Sequence, residues 1–170
     1  MITKDENVTI SKSLTIDGKK EEKENYNYTG TMTVNNVTVT VQNVEFVKGQ
    51  VYKNKNTGGN AKITINNCTF DGDGMNAYAI NIGGSNSIVI EDVTVKDYGY
   101  GMLQVPSSNT SLTVKGVDIQ NCYYGLKVDY SNGVTLENVT MSDDVTIGIY
   151  DSNYGTKTYA VKNRFSIYSR

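Results

Sequence analysis

Histidine is absent from the 170 residues, so any chemistry must be built from carboxylates, tyrosines, amides, lysines and two cysteines. Imidazole general bases, Ser-His-Asp and Cys-His nucleophile systems and histidine metal sites are excluded. Among the carboxylates, Asp71-Gly72-Asp73-Gly74-Met75-Asn76 alternates oxygen donors around turn glycines as the start of a calcium loop does, but the remaining ligands and the terminal Glu are missing. Calcium held by Asp71 and Asp73 is one expectation, and an ordinary Asp-Gly turn is the other. A second arrangement, Asp143-Asp144, reads as a solvated turn, because a glycoside hydrolase needs two carboxylates facing each other across a cleft. Five tyrosines, Tyr78, Tyr98, Tyr100, Tyr123 and Tyr124, gather in three short segments. Flat aromatic faces beside amides and amines stack on sugar rings and hydrogen-bond to them, and equally they can close a corner of the fold with their hydroxyls in water. Cys68 and Cys122 are too few for a disulfide framework or a zinc site.

The elements that must position these groups come from a repeat. Val39-Thr40-Val41-Gln42-Asn43-Val44-Glu45-Phe46 aligns with Ile63-Thr64-Ile65-Asn66-Asn67-Cys68-Thr69-Phe70, and copies begin again at Ile88, Leu112 and Val134. An earlier copy starts at Leu14 and a degenerate one at Tyr159, so the spacing predicts about seven turns. Each copy reads as two period-two strands joined by a corner. A third strand follows at Ala79-Ile80-Asn81-Ile82, Met102-Leu103-Gln104-Val105, Gly125-Leu126-Lys127-Val128 and Gly148-Ile149-Tyr150-Asp151. The composition agrees. Val, Ile, Thr, Tyr and Phe supply 67 residues against 9 of Ala and Leu, which favours a pleated surface over helices. We therefore expect an all-β right-handed parallel β-helix of three short strands per turn, forming one domain over residues 1–170. Its irregular parts are a first turn with a charged loop at 18–30 and a degenerate last turn at 159–170, where a one-residue shift brings in Phe165.

The corner between the first two strands carries Gly18, Asn43, Asn67, Asp92, Gly116, Asn138 and Asn163, residue types that tolerate left-handed backbone. We expect Asn43, Asn67, Asp92 and Asn138 to form a structural ladder along the rod, with the Asn67 and Asn138 side chains turned inward. A second column, Asp97, Asn121 and Asp143, is expected nine residues into each turn. Cys68 falls in an apolar column with Val44, Val93, Val117 and Val139, and a disulfide to Cys122 is not expected.

These phrases, with the Lys12-to-Gly18 start and the Asn corner, resemble the pectate-lyase-like right-handed β-helix superfamily over about residues 8–168. In style the chain is most similar to adhesin-like modules of bacterial surface proteins. The resemblance implies that a lyase would carry its calcium-holding aspartates and a basic residue on the outer face of the third strand. Here that face reads Tyr52, Asn81, Gln104, Lys127 and Tyr150, one possible base and no carboxylate. Of the polygalacturonase-like motifs only Asp143-Asp144 is matched.

The expectation is a noncatalytic module of a bacterial cell-surface or secreted protein, extracellular or at the cell surface, serving adhesion or glycan contact. A polysaccharide lyase or glycoside hydrolase acting on acidic polysaccharide is the alternative, and a phage tail-fibre segment is a third. An extended glycan would lie along the row Tyr52, Asn81, Gln104, Lys127 and Tyr150, flanked by Tyr78, Tyr100 and Tyr124. A net charge of −2 gives no long-range attraction for nucleic acid. No apolar run reaches the ~18–20 residues that cross a bilayer, so membrane insertion is not expected. The oligomeric state stays open.

Overall fold

In the computed structural model, residues 3–19, 26–57, 59–106, 111–129, 133–151 and 158–165 are described, and every regular element among them is a strand. The first eight are β1 (Thr3–Asp5), β2 (Val8–Ile10), β3 (Leu14–Asp17), β4 (Tyr26–Val34), β5 (Thr38–Gln42), β6 (Val44–Lys53), β7 (Ala61–Asn66) and β8 (Thr69–Met75). The rest are β9 (Tyr78–Ile82), β10 (Ser85–Glu91), β11 (Thr94–Tyr98), β12 (Gly101–Val105), β13 (Ser111–Gln120), β14 (Tyr124–Val128), β15 (Gly133–Met141), β16 (Ile147–Tyr150) and β17 (Thr158–Phe165).

All pairings are parallel and join equivalent strands of successive turns, which stack into three faces. The first face runs β3, β5, β7, β10, β13, β15, β17. Long strands bend at a corner and serve two faces, so β13 and β15 also enter the second face, with β1, β4, β6, β8 and β11. The third face runs β2, β4, β6, β9, β12, β14, β16. Period two then dictates the core, because every second side chain points into the rod. Val39, Ile63, Ile88, Leu112 and Val134 form one buried column, and Val41, Ile65, Ile90, Val114 and Leu136 form the next. On the second face the Phe46 and Phe70 rings stack at 4.3 Å with 2° between planes, and Tyr28 meets Phe46 edge-on at 5.5 Å.

At the first corner Asn43, Asn67, Asp92 and Asn138 have φ of 57°, 48°, 52° and 51°. That left-handed region costs most L-residues about 1–2 kcal/mol, and Asn and Asp visit it most readily among residues with side chains. The backbone at the corner bonds along the rod, Asn67 N–H donating to the Glu91 carbonyl at 3.0 Å and Asp92 N–H to the Lys115 carbonyl at 2.9 Å. Asn67 Nδ2 donates to Asn43 Oδ1 at 2.7 Å, and Asn43 Nδ2 to Asp17 Oδ1 at 2.7 Å. The inward placement expected for Asn67 and Asn138 is corrected: both are exposed, as is Asp92, while Asn43 is buried. The main chain already makes the bonds between turns here, so the amides are left to bridge on the outside. Gly116, also left-handed at 61°, has no side chain to continue the ladder. Replacing Asn43 with Ala should cost about 2 kcal/mol, combining lost amide bonds with backbone strain. Asn43→Gly should cost less, since glycine adopts the same φ freely. Equal urea midpoints for the two variants would deny the strain component.

Two expectations about the ends change. Seven segments do stack on the first face, but the rod has about five regular turns, not seven. The first copy reaches its second strand only after an insertion, and among the described residues the last copy adds to the second face only Phe165, at the end of β17. The charged loop expected at 18–30 is also shorter. Tyr26 N–H donates to the Gly18 carbonyl at 3.1 Å, closing the insertion on the corner it left. Strand β4 begins at Tyr26, with Asn27 and Tyr28 buried, so Tyr26 and Tyr28 take the places that Val44 and Phe46 hold in the next turn. Between β15 and β17 the register shifts by one residue, setting Val139 opposite Phe165.

Candidate functional site

The third face presents the expected row. Tyr52 pairs with Asn81, Asn81 with Gln104, Gln104 with Lys127, and Lys127 with Tyr150. Successive members are one strand spacing apart, about 4.8 Å. The first four each lie between two buried neighbours, as Asn81 does between Ile80 and Ile82, and Gln104 between Leu103 and Val105, all 0 % exposed. Burial on both sides fixes the backbone there and points these side chains outward, whereas Tyr150 ends its strand between half-buried Ile149 and exposed Asp151.

Beside the row lies a groove of about 540 Å³, lined by Tyr52, Tyr78, Asn81, Tyr100, Gln104 and Lys127 together with Gln50, Asn76 and Ala77. Gln50 and Asn76 were not anticipated. Gln50 was legible, since it stands two residues before Tyr52 on the same strand and so shares its face. Asn76 and Ala77 lie on the bend entering β9, whose course depends on contacts between turns. Lys127 Nζ sits 5.6 Å from the centroids of both the Tyr124 and Tyr150 rings, within cation–π range. Among the described residues no carboxylate pairs with it.

The tyrosines divide into two roles. Tyr100, Tyr123 and Tyr150 are 53 %, 47 % and 39 % exposed. Tyr78 is mostly buried, its ring near-parallel to Tyr124 at 6.4 Å and tilted to Tyr100 at 5.8 Å. Burial first, and the neighbouring Tyr124 second, push its hydroxyl up to about 12. Tyr98 leaves the surface group altogether: it is 0 % exposed and its hydroxyl donates to the Gly49 carbonyl. Glycine in the turn beneath makes room for the ring, since a Cβ on Gly72 would lie 2.8 Å from Tyr98 Cδ2.

The second corner holds the aspartates. Asp71 pairs with Lys96 at 2.8 Å and Asp73 with Lys48 at 2.7 Å. The Lys48 ammonium holds the Asp73 carboxyl below its ordinary range. Calcium would have to displace two lysines, and among the described residues no group of three or more His, Cys, Asp or Glu is placed to hold a metal ion. The donor set does not fit calcium. Asp97 and Asn121 do stack, Asn121 Nδ2 donating to Asp97 Oδ1 at 2.7 Å. The next member is Asp144, not Asp143: Asn121 N–H donates to Asp144 Oδ1 at 3.0 Å. This turn is one residue longer than the count from its start assumed.

Lys53 is a buried ammonium that the pattern did not reveal. It occupies an inward place opposite Ile82 and is 0 % exposed. Its Nζ donates to the carbonyls of Thr57 at 2.7 Å, Gly83 at 3.0 Å and Asn54 at 3.3 Å, tying one third corner to the next. Cys68 and Cys122 are both buried free thiols. No helix among the described residues is long and apolar enough to cross a membrane.

No curated protein and no solved structure matches the chain. The family model described as the right-handed beta helix region matches residues 54–166, which takes in five of the seven first-face strands and the row from Asn81 to Tyr150. With its parallel three-faced stack and that match, the chain belongs to the right-handed β-helix family.

Proposed function

We propose that the third face is a noncatalytic binding surface for an extended glycan, on a module of a bacterial cell-surface or secreted protein. The observation that carries this reading is the join of a straight row of amides and Lys127 to a shallow groove walled by tyrosines. Hydroxyl-rich chains are recognised in this way, since their C–H faces stack on aromatic rings while their hydroxyls exchange bonds with amides. None of the groove's lining residues is a carboxylate, so the face offers neither the acid pair of a glycosidase nor aspartates to hold a cation against an acidic sugar. Little of each sugar is desolvated on such an open face, so affinity is weak and grows with chain length.

A glycan array, followed by titration calorimetry on the best oligosaccharide series, tests this. Binding should rise with oligosaccharide length and fall at least tenfold in Tyr100→Ala and Lys127→Ala, with unchanged melting. Pectin and polygalacturonate incubated with the protein should be recovered uncleaved. Binding untouched by both substitutions would leave this face as scaffold.

A further inference from the structure

The two ends of the rod leave apolar columns unfinished. Interior members of the first column, such as Ile63 and Ile88, are 0 % exposed, whereas its first member, Leu14, is 42 % exposed. Ile16 starts the adjoining column, and Val8 starts a column on the third face that ends at Ile149; all three are only half-buried. A hollow of about 250 Å³, lined mainly by apolar groups of Ile16, Tyr28, Met32 and Val44, opens beside β3. Among the described residues, β1, β2 and β3 at this end each pair with one neighbouring turn only, and β16 and β17 do the same at the other end. Among the described residues no helix covers either end.

We propose that a second copy of this chain covers each end, the copies stacking head to tail so that β17 and β16 of one pair with β3 and β2 of the next. Every strand runs in the same sense, so the open edge at one end is the hydrogen-bonding complement of the edge at the other. Carrying the register one turn further sets Val161 opposite Ile16, Ile149 opposite Val8, and Lys162 opposite Asp17. Opposite charges on adjacent turns of that outer column already meet within the chain, where Lys115 and Glu137 pair at 3.9 Å. The contact is heterologous, and its repetition builds an open fibre instead of a closed dimer. Along such a fibre the third face runs on across each junction, with Tyr150 beside Thr9 of the following copy.

Sedimentation velocity and light scattering on the 170-residue chain over a wide concentration range read this directly. The mass should climb with concentration through dimer and trimer without a plateau. Leu14→Lys blocks one end and Ile149→Lys the other. Each should stay at the mass of one chain while keeping a β-sheet circular dichroism spectrum, and the two mixed should form a dimer that grows no further. Lys162→Glu should move association to higher concentration, and adding Asp17→Lys should move it back. The charge pair also reads the junction if either lysine variant fails to fold. A chain that is monomeric at all concentrations, a mass that stops at a dimer in the parent, or association that ignores both the end-blocking and the charge-swap variants would overturn the proposal.

Discussion

Replacing Ile90 with Asp should cost about 5 kcal/mol, enough to unfold a domain of ordinary stability. Ile90 is 0 % exposed in the middle of the rod, between Ile65 on one side and Val114 on the other. The substitution removes a packed side chain, and the carboxyl that replaces it has only apolar column neighbours along the rod, so it must be protonated or draw in water. Position 89 supplies the control. Val89 lies on the outer side of the same strand, between Thr64 and Thr113, and Val89→Thr should change stability by less than about 0.5 kcal/mol. Urea unfolding of both variants checks the parity of the strand. Similar midpoints for Ile90→Asp and Val89→Thr would mean that the assigned register is wrong.

Stability should also fall steeply in alkali. Burial pushes the Cys68 and Cys122 thiols from 9.0 up to about 11, and the Tyr78 hydroxyl from 10.0 up to about 12. Tyr98 and Tyr28 are raised as well, again chiefly by burial. In the unfolded chain these groups lose their protons at ordinary values, while the fold holds them to higher pH. The stability they contribute is therefore full below about pH 9 and is lost as pH rises through the unfolded values, levelling off above the folded ones. Each buried thiol accounts for about 2–3 kcal/mol of that loss. Lys53 acts in the opposite sense, because burial lowers its value and the fold sheds that proton first. One group does not offset five. Urea midpoints measured from neutral pH to about pH 11 should drop, and Cys68→Val, which continues the valine column of Val44, Val93 and Val117, should flatten the decline. A midpoint constant across that range would contradict the burial of these groups.

The row and the core were legible in the sequence for the same reason. Alternation along a strand is local, so once Ile80 and Ile82 face inward, Asn81 faces outward, and repetition of the phrase stacks Asn81 against Gln104 and Lys127. The left-handed corner at Asn43 and Asn67 was legible too, because few residue types with a side chain tolerate that backbone. Asp71 and Asp73 show where reading stops: their alternation resembles a calcium loop, yet Lys96 from the following turn and Lys48 from the preceding one claim both carboxylates.

What the sequence by itself determined is the period, and with it the strands, the three parallel faces and the side of the sheet on which each strand residue lies. What only the tertiary structure decided lies at the corners and the ends. Tyr98 enters the core because Gly72 of the preceding turn leaves room for its ring and the Gly49 carbonyl, one turn earlier still, accepts from its hydroxyl. Tyr100, two residues on, stays at the surface. Lys53 takes an inward place in an apolar column because carbonyls from two successive corners converge on its ammonium. Tyr26 and Tyr28 supply the second strand of the first turn because the insertion closes on Gly18. Each outcome rests on groups brought together across turns, and a period-two pattern, which records only which face a residue occupies, carries no information about how neighbouring turns fill the space between them.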